Sequence, residues 1–176
     1  MNPTTSPIDL ALVQETAEKH HISGFSCSES VFSTMLDIFE PGASPELVRI
    51  ATGMAAGLGQ SGCVCGALNG GVMAIGMLFG RTEPSRDPKD PKKVKSMKLS
   101  KELHDWFREN NTKNTACCRI LTKEFDMKKG EHKPQCTYYS GICAAKTAEI
   151  IARELDIPTT GAITLLTREE YKARKF

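Results

Sequence analysis

Gly66-Ala67-Leu68-Asn69-Gly70-Gly71-Val72-Met73-Ala74-Ile75-Gly76-Met77-Leu78-Phe79 is the stretch on which the fold turns. Gly66, Gly70 and Ala74 recur every four residues, with Ala67 and Gly71 beside them, so on a helix they form one smooth strip. A glycine inside a helix costs up to about 1 kcal/mol relative to alanine. Close approach by a neighbouring helix is the natural offset, so the spacing predicts a Gly-rich central helix over 66–79. The alternative is a flexible glycine loop, the reading taken for Gly57-Leu58-Gly59-Gln60-Ser61-Gly62 just upstream.

Outward from that stretch the start and stop signals are those of helices. Ser6-Pro7-Ile8-Asp9 offers a cap, a proline at the first helical position and an acid in the first turn, predicting a helix to about His21. Ser26-Cys27-Ser28-Glu29 is a capping box, opening a helix with Val31, Phe32, Met35, Leu36 and Phe39 on one face and stopped by Glu40-Pro41-Gly42. Ser44-Pro45-Glu46 predicts another helix to about Ala56. On the far side, a charged, proline-rich connection near 81–95 leads into a helix with Leu99, Leu103 and Trp106 on one face, ending near Asn110-Asn111. Thr115-Ala116-Cys117-Cys118 opens a short helix with Ile120, Leu121 and Phe125 as its apolar side. Asp126 to Gln135 reads as a loop, and Ser140-Gly141-Ile142-Cys143 opens a longer helix ended by Asp156-Ile157-Pro158. Ala162 to Leu166 is a short strand or a helical turn, and Thr167-Arg168-Glu169-Glu170 is a last capping box. The expected fold is all-α: one helical domain over residues 1–176, a bundle of about six to seven helices around the Gly-rich one.

Composition narrows the function classes. Hydrophobic residues at 40% and charged residues at 25% of 176 are those of an ordinary globular chain. Lys and Arg total 23 against 21 Asp and Glu, a net charge of +2 that gives no reason to expect nucleic acid or an anionic membrane surface as partner. Residues 81–101 carry eight basic and three acidic side chains, which reads as a wet surface rather than a nucleic-acid patch. No apolar run reaches the roughly 18 residues of a membrane span. The first residues, Met1 to Pro7, lack the basic start and apolar core of a secretory signal, so a cytoplasmic protein is expected.

Cysteine is the unusual component: seven of them, at 27, 63, 65, 117, 118, 136 and 143. In a reducing compartment such thiols are more often metal ligands or redox groups than structural bridges. Four fall at expected helix starts: Cys27 after Ser26, Cys65 just before the Gly-rich helix, Cys118 after Thr115, and Cys143 after Ser140. The partial positive charge and free amides of a helix N-terminus favour thiolate over thiol, and thiolate is the species that binds metals or attacks disulfides. Any one of these cysteines taken alone is more often a small buried hydrophobe than a ligand.

Cys27, then Gly62-Cys63-Val64-Cys65-Gly66-Ala67-Leu68-Asn69-Gly70-Gly71, then Cys118-Arg119-Ile120-Leu121, then Cys143 with Ala148-Glu149-Ile150-Ile151 together resemble the C-GCAxxG-C-C family of redox-active proteins. The resemblance runs over roughly residues 24 to 155, and its Gly-Ala-Leu-Asn-Gly-Gly core is the most specific part. It implies a small helical, redox-linked protein whose four cysteines fall on Cys27, Cys65, Cys118 and Cys143. Cys63, Cys117 and Cys136 are then extra thiols, alternative ligands or resolving partners. A similar domain in the split-Soret cytochrome is associated with a 2Fe–2S site beside haem. This chain has no Cys-x-x-Cys-His, so covalent haem is not expected.

Three chemistries follow. In the first, Cys27, Cys65, Cys118 and Cys143 hold an iron–sulfur cluster, most simply 2Fe–2S, for electron transfer, with Gly66 and Gly70 letting backbone come close to the sulfurs. In the second, the protein is a metal-free thiol–disulfide redox protein. In the third, the thiols hold structural zinc, with His20, His21, His104 and His132 as further donors. The letters Gly57-x-Gly59-x-x-Gly62 match a dinucleotide fingerprint, but no strand precedes them and no alternating strands follow, so that reading is rejected. A carrier of electrons implies a redox partner protein, and a glycine–alanine face packs either inside one chain or across a homodimer.

Overall fold

The computed structural model describes residues 6–174. Met1–Thr5, part of the stretch read above for an export signal, and the last two residues lie outside the described residues. In chain order the elements are β1 (Ile8–Asp9), α1 (Leu10–Ile22), α2 (Cys27–Phe39), a 3-10 turn (Pro45–Val48), α3 (Arg49–Thr52), α4 (Ala55–Leu58), α5 (Gly66–Phe79), α6 (Pro91–Glu109), α7 (Cys118–Thr122), α8 (Lys133–Glu154), β2 (Thr159–Thr160) and α9 (Arg168–Ala173). Helices make the fold, as the sequence predicts. The two strands pair in parallel, Ile8 opposite Thr159 and Asp9 opposite Thr160.

The Gly-rich helix α5 packs against α2, α6 and α8, and its glycines are what permit it. A Cβ added at Gly70 would lie 2.5 Å from the Ser28 carbonyl oxygen and 3.0 Å from the Val31 Cβ, both on α2. A Cβ at Gly71 would lie 2.4 Å from the Thr147 Oγ1 of α8 and 2.6 Å from Leu103 of α6. The glycine–alanine strip is therefore consumed within the chain. The longest helix, α8, is buried along most of its length, from Gln135 to Ala152. Phe107, Tyr139, Tyr138 and Tyr171 build an aromatic cluster beside it, with Phe107 edge-on to Tyr139 at 5.4 Å and Tyr138 stacked on Tyr171 at 5.2 Å.

Several boundaries differ from the sequence reading, each for a packing reason. The first helix begins at Leu10, because Ile8 and Asp9 are held by β2 and the Asp9 carboxylate, not Ser6, accepts from the Ala11 and Leu12 N–H groups. The helix expected from Ser44 to Ala56 stops at Thr52. Ala56, Gly57, Leu58, Gly59 and Gln60 then all take positive φ, from 51° to 73°, a left-handed run closed by Gly59 N–H to Gly53 O at 2.9 Å. This run turns the chain so that the backbone at Ala55 and Ala56 lies against Gly66. Pro91 is the first residue of α6, capped by Asp90, so the irregular connection is shorter than 81–95. The face of α6 buries Leu99, Leu103 and Phe107, while Trp106 is half-buried under Lys146. On α7 Leu121 is buried but Ile120 is exposed, and Ala162 to Leu166 forms neither strand nor helix.

The largest correction concerns α8, which begins at Lys133 rather than at Ser140. Pro134 sits in its first turn, where a missing N–H costs nothing. Gly141, read as part of a helix start, is instead a packing glycine: its Cβ would meet Glu18 Cγ of α1 at 2.7 Å. The Ser140 hydroxyl donates back to the Cys136 carbonyl at 2.9 Å inside the helix, rather than capping it.

Two glycines of α5 give opposite expectations. Gly70→Ala drives a methyl into the backbone of α2 and should destabilise by about 1–3 kcal/mol. Gly76 has nothing within 4 Å of an added Cβ, so Gly76→Ala should stabilise by up to about 1 kcal/mol. Thermal unfolding of both variants reads this at about 2–4 °C per kcal/mol, and a Gly70→Ala protein as stable as wild type would remove the contact from the account.

Candidate functional site

Four helix starts carry a thiol into one small space. Cys27 is the first residue of α2, whose start is fixed by the Glu29 carboxylate, accepting from the Ser26 N–H at 2.7 Å and the Thr52 hydroxyl at 2.6 Å. Cys65 caps α5, and its N–H donates to the Ala116 carbonyl at 2.8 Å. Cys118 is the first residue of α7, tied to the same loop by the Arg119 N–H donating to Gly62 O at 2.9 Å. Cys136 lies in the first turn of α8, its N–H bonded to the His132 carbonyl at 3.0 Å. Cys27, Cys65, Cys118 and Cys136 line one cavity of 20 Å³, closed on the inside by Leu121, Gln135 and Tyr139. That is about the room of one water. Gly66 makes the meeting possible, since a Cβ there would lie 2.3 Å from the Cys27 sulfur.

Cys143, placed by the sequence reading at a helix start, is instead interior to α8 and fully buried. It lies two turns beyond Cys136 on the same face, about 10 Å along the axis, and is not among the residues lining the cavity. Cys136, read as an extra thiol, takes the helix-start position in its place. The signal that finds it is Pro134, which marks the first turn of a helix better than the Ser140-Gly141 pair does.

Burial dominates the electrostatics. It pushes the Cys65 thiol far up, with the charges of Cys27 and Cys118 adding to the shift and the Leu68 and Ala67 N–H groups partly offsetting it. Cys27 is raised by burial against the opposing pull of the Ala56 and Ser28 N–H groups. Cys118 is pushed up to about 11 by burial and then by Cys27, Cys117 and Cys63. Cys136 is raised well above the ordinary thiol range by burial and by Cys27, Cys65 and Cys118. The four sulfurs thus repel one another as anions, while backbone donors aimed at two of them favour the anion. Taken as they stand, they are protonated and poor nucleophiles.

A second, larger cavity of 480 Å³ opens to solvent and shares Cys27, Cys118 and Cys136 with the first. His21, Phe25, Met127 and His132 are among the other residues of its wall. Thr137 Oγ1 is 2.8 Å from His21 Nδ1, and His132 Nδ1 is buried without a hydrogen-bond partner among the described residues. His20, by contrast, is bonded to Thr34 at 3.1 Å, and His104 to its neighbour Asp105 at 3.0 Å. His21 and His132 were named in the sequence only as generic donors; their place at the cavity comes from the α1–α8 packing.

The remaining thiols stand outside this space. Cys63 is exposed, and Cys117 is half-buried with its S–H donating to the Gly62 carbonyl at 3.3 Å. All seven cysteines are free thiols. Among the described residues no three His, Cys, Asp or Glu side chains converge closely enough to hold a metal ion, and no helix is long and apolar enough to cross a membrane.

His21 gives the pH dependence a sign. Burial, then the positive charge of His132 and Lys133, lowers its pKa from 6.5 to about 4. The folded protein keeps His21 neutral where the unfolded chain protonates, so its contribution to stability is complete above pH 6.5 and lost as pH falls toward 4. Denaturation midpoints across that range should fall less steeply for His21→Gln than for wild type; identical slopes would show that His21 is not desolvated.

Comparison with known proteins adds one finding. No curated protein and no solved structure matches the chain. Residues 25–150 match the family described as Putative redox-active protein (C_GCAxxG_C_C), a span that takes in every cysteine and the whole of both cavities' sulfur wall. With well over half of its length inside that match, the chain belongs to the C_GCAxxG_C_C redox-active family.

Proposed function

We propose that the protein is an electron carrier in which Cys27, Cys65, Cys118 and Cys136 hold an iron–sulfur cluster of the 2Fe–2S type. The observation that carries this reading is that sulfurs from four helices line one apolar space in which none is comfortable as a free anion. Cys27, Cys65, Cys118 and Cys136 would give up their protons to hold a metal–sulfide core as thiolates, and its positive charge would offset their mutual repulsion. When bound, such a core would supply one-electron transfer.

Each supporting residue then has a task of its own. Gly66 leaves room for the Cys27 sulfur. The Ala67 and Leu68 N–H groups at Cys65, and those of Ala56 and Ser28 at Cys27, stabilise charge on sulfur and raise the potential. Leu121 and Tyr139 exclude water from the inner end, while the 480 Å³ cavity reaches three of the sulfurs from outside and gives a core the side on which to fit. Zinc is the second reading: a single tetrahedral ion would need all four sulfurs around one point. A two-iron core would need only two of the four sulfurs at each metal.

Purification without oxygen, or reconstitution with iron and sulfide, should give about two irons and two sulfides per chain with a visible charge-transfer band. Cys136→Ser should lose that band and Cys143→Ser should keep it. Iron below about half an equivalent per chain would overturn the cluster reading, and a band that survives Cys136→Ser but not Cys143→Ser would return the fourth ligand to Cys143.

A further inference from the structure

Two of the three thiols outside the inner space, Cys63 and Cys117, lie on one seam. Loop 57–65 runs along the segment 115–119 and is stitched to it four times: Cys65 N–H to Ala116 O at 2.8 Å, Arg119 N–H to Gly62 O at 2.9 Å, Arg119 Nη2 to Ser61 O at 2.6 Å, and Cys117 Sγ to Gly62 O at 3.3 Å. The carbonyl that receives the Cys117 thiol belongs to the peptide unit leading into Cys63. Standard backbone dimensions therefore put the Cys63 Cα within about 6 Å of the Cys117 sulfur, so a disulfide, whose Cα atoms stand about 4.4–6.8 Å apart, closes by turning the two side chains and shifting the exposed loop that carries Cys63. Neither residue lines the inner cavity. Cys63 is open to solvent and Cys117 is half-covered, and Cys63 sits at the end of a loop whose left-handed run from Ala56 to Gln60 holds it away from regular structure. Cys118, the neighbour of Cys117 in sequence, feels both Cys117 and Cys63, so the outer pair adjoins the inner sulfurs without belonging to them.

The geometry points to a second redox site: Cys63 and Cys117 are a dithiol that closes to a disulfide by exchange with a small-molecule disulfide. The Cys63 thiolate attacks one sulfur of the reagent R–S–S–R, forming Cys63–S–S–R and expelling RS⁻. The Cys117 thiolate then attacks the Cys63 sulfur, forming Cys63–S–S–Cys117 and expelling the second RS⁻. The two protons given up by the protein thiols end on the two released thiolates. Two protein thiols are oxidised and one external disulfide is reduced, with no other oxidant required. Exposure assigns the first attack to Cys63, and the contact of Cys117 with the preceding peptide unit makes it the resolving group. This site stands independently of the iron–sulfur reading.

The test uses the full-length protein, freed of reductant, and 2-hydroxyethyl disulfide as reagent. Wild type should lose two hydrogens with no retained adduct, and peptide mapping should join the Cys63 peptide to Cys117. Cys117→Ser should stop at the mixed disulfide on Cys63, whereas Cys118→Ser should close as wild type does. Cys63→Ser should give neither product at the wild-type rate, which keeps the test open should Cys117→Ser fold poorly. Persistent adduct on Cys63 of the wild type, closure of Cys63 onto Cys65 or Cys118, or no reaction at all would overturn the pair. Iron and sulfide content should be unchanged in Cys63→Ser, and since that readout depends on the inner sulfurs alone, the two sites fail separately.

Discussion

The contact between the start of α5 and the start of α2 is the constraint on which the rest depends. At Gly66 the missing methyl is where the Cys27 sulfur lies, and at Gly70 it is where the Ser28 carbonyl lies. Backing α5 away by the width of a methyl group would carry Cys65 away from Cys27 and open the inner space. Gly71 fixes the opposite flank in the same way, against Thr147 and Leu103. The helix thus gives up intrinsic stability at three positions and regains it in close packing on two sides. Asn69 completes the clamp, its side-chain amide donating to the Met54 carbonyl at 2.9 Å and so tying the helix to the left-handed turn.

How much of this could be read from the chain depends on whether the governing interaction was local. The capping boxes at Ser26 and Thr167 are local, and both helices start where those residues say. The spacing of Gly66, Gly70 and Ala74 is a local pattern with one geometric meaning, and α5 has the predicted bounds. Ser140-Gly141 misled because a glycine beside a serine spells a helix start in sequence, while here it marks where α1 presses on α8. That distinction exists only in three dimensions. Ser6 misled because the pairing of Ile8 with Thr159 joins residues from opposite ends of the chain. Of the inner sulfurs, Cys27, Cys65 and Cys118 were legible because each sits beside a local start signal. Cys136 was hidden behind the misplaced start of its own helix. The outer pairing of Cys63 with Cys117 depends on two loops running together, which no spacing within either loop encodes.

Position separates the sulfurs into those that line the inner space and those that do not. Those of the inner space are desolvated, so each holds its proton more tightly than a thiol in water and is a poor attacking group. The same desolvation strengthens any interaction with positive charge that enters the space, because a low dielectric magnifies attraction as well as penalty. On the proposed reading, the sulfurs least suited to attack disulfides would be the ones that bind a metal–sulfide core. Cys63, exposed, and Cys117, half-buried, lie outside that space. Water reaches them, no inner wall surrounds them, and exchange with a small reagent needs nothing to open. An outer pair next to an inner set, with Cys118 coupled to both, would on the two proposals let one chain meet thiol chemistry at its surface and electron chemistry in its interior without either sulfur set consuming the other.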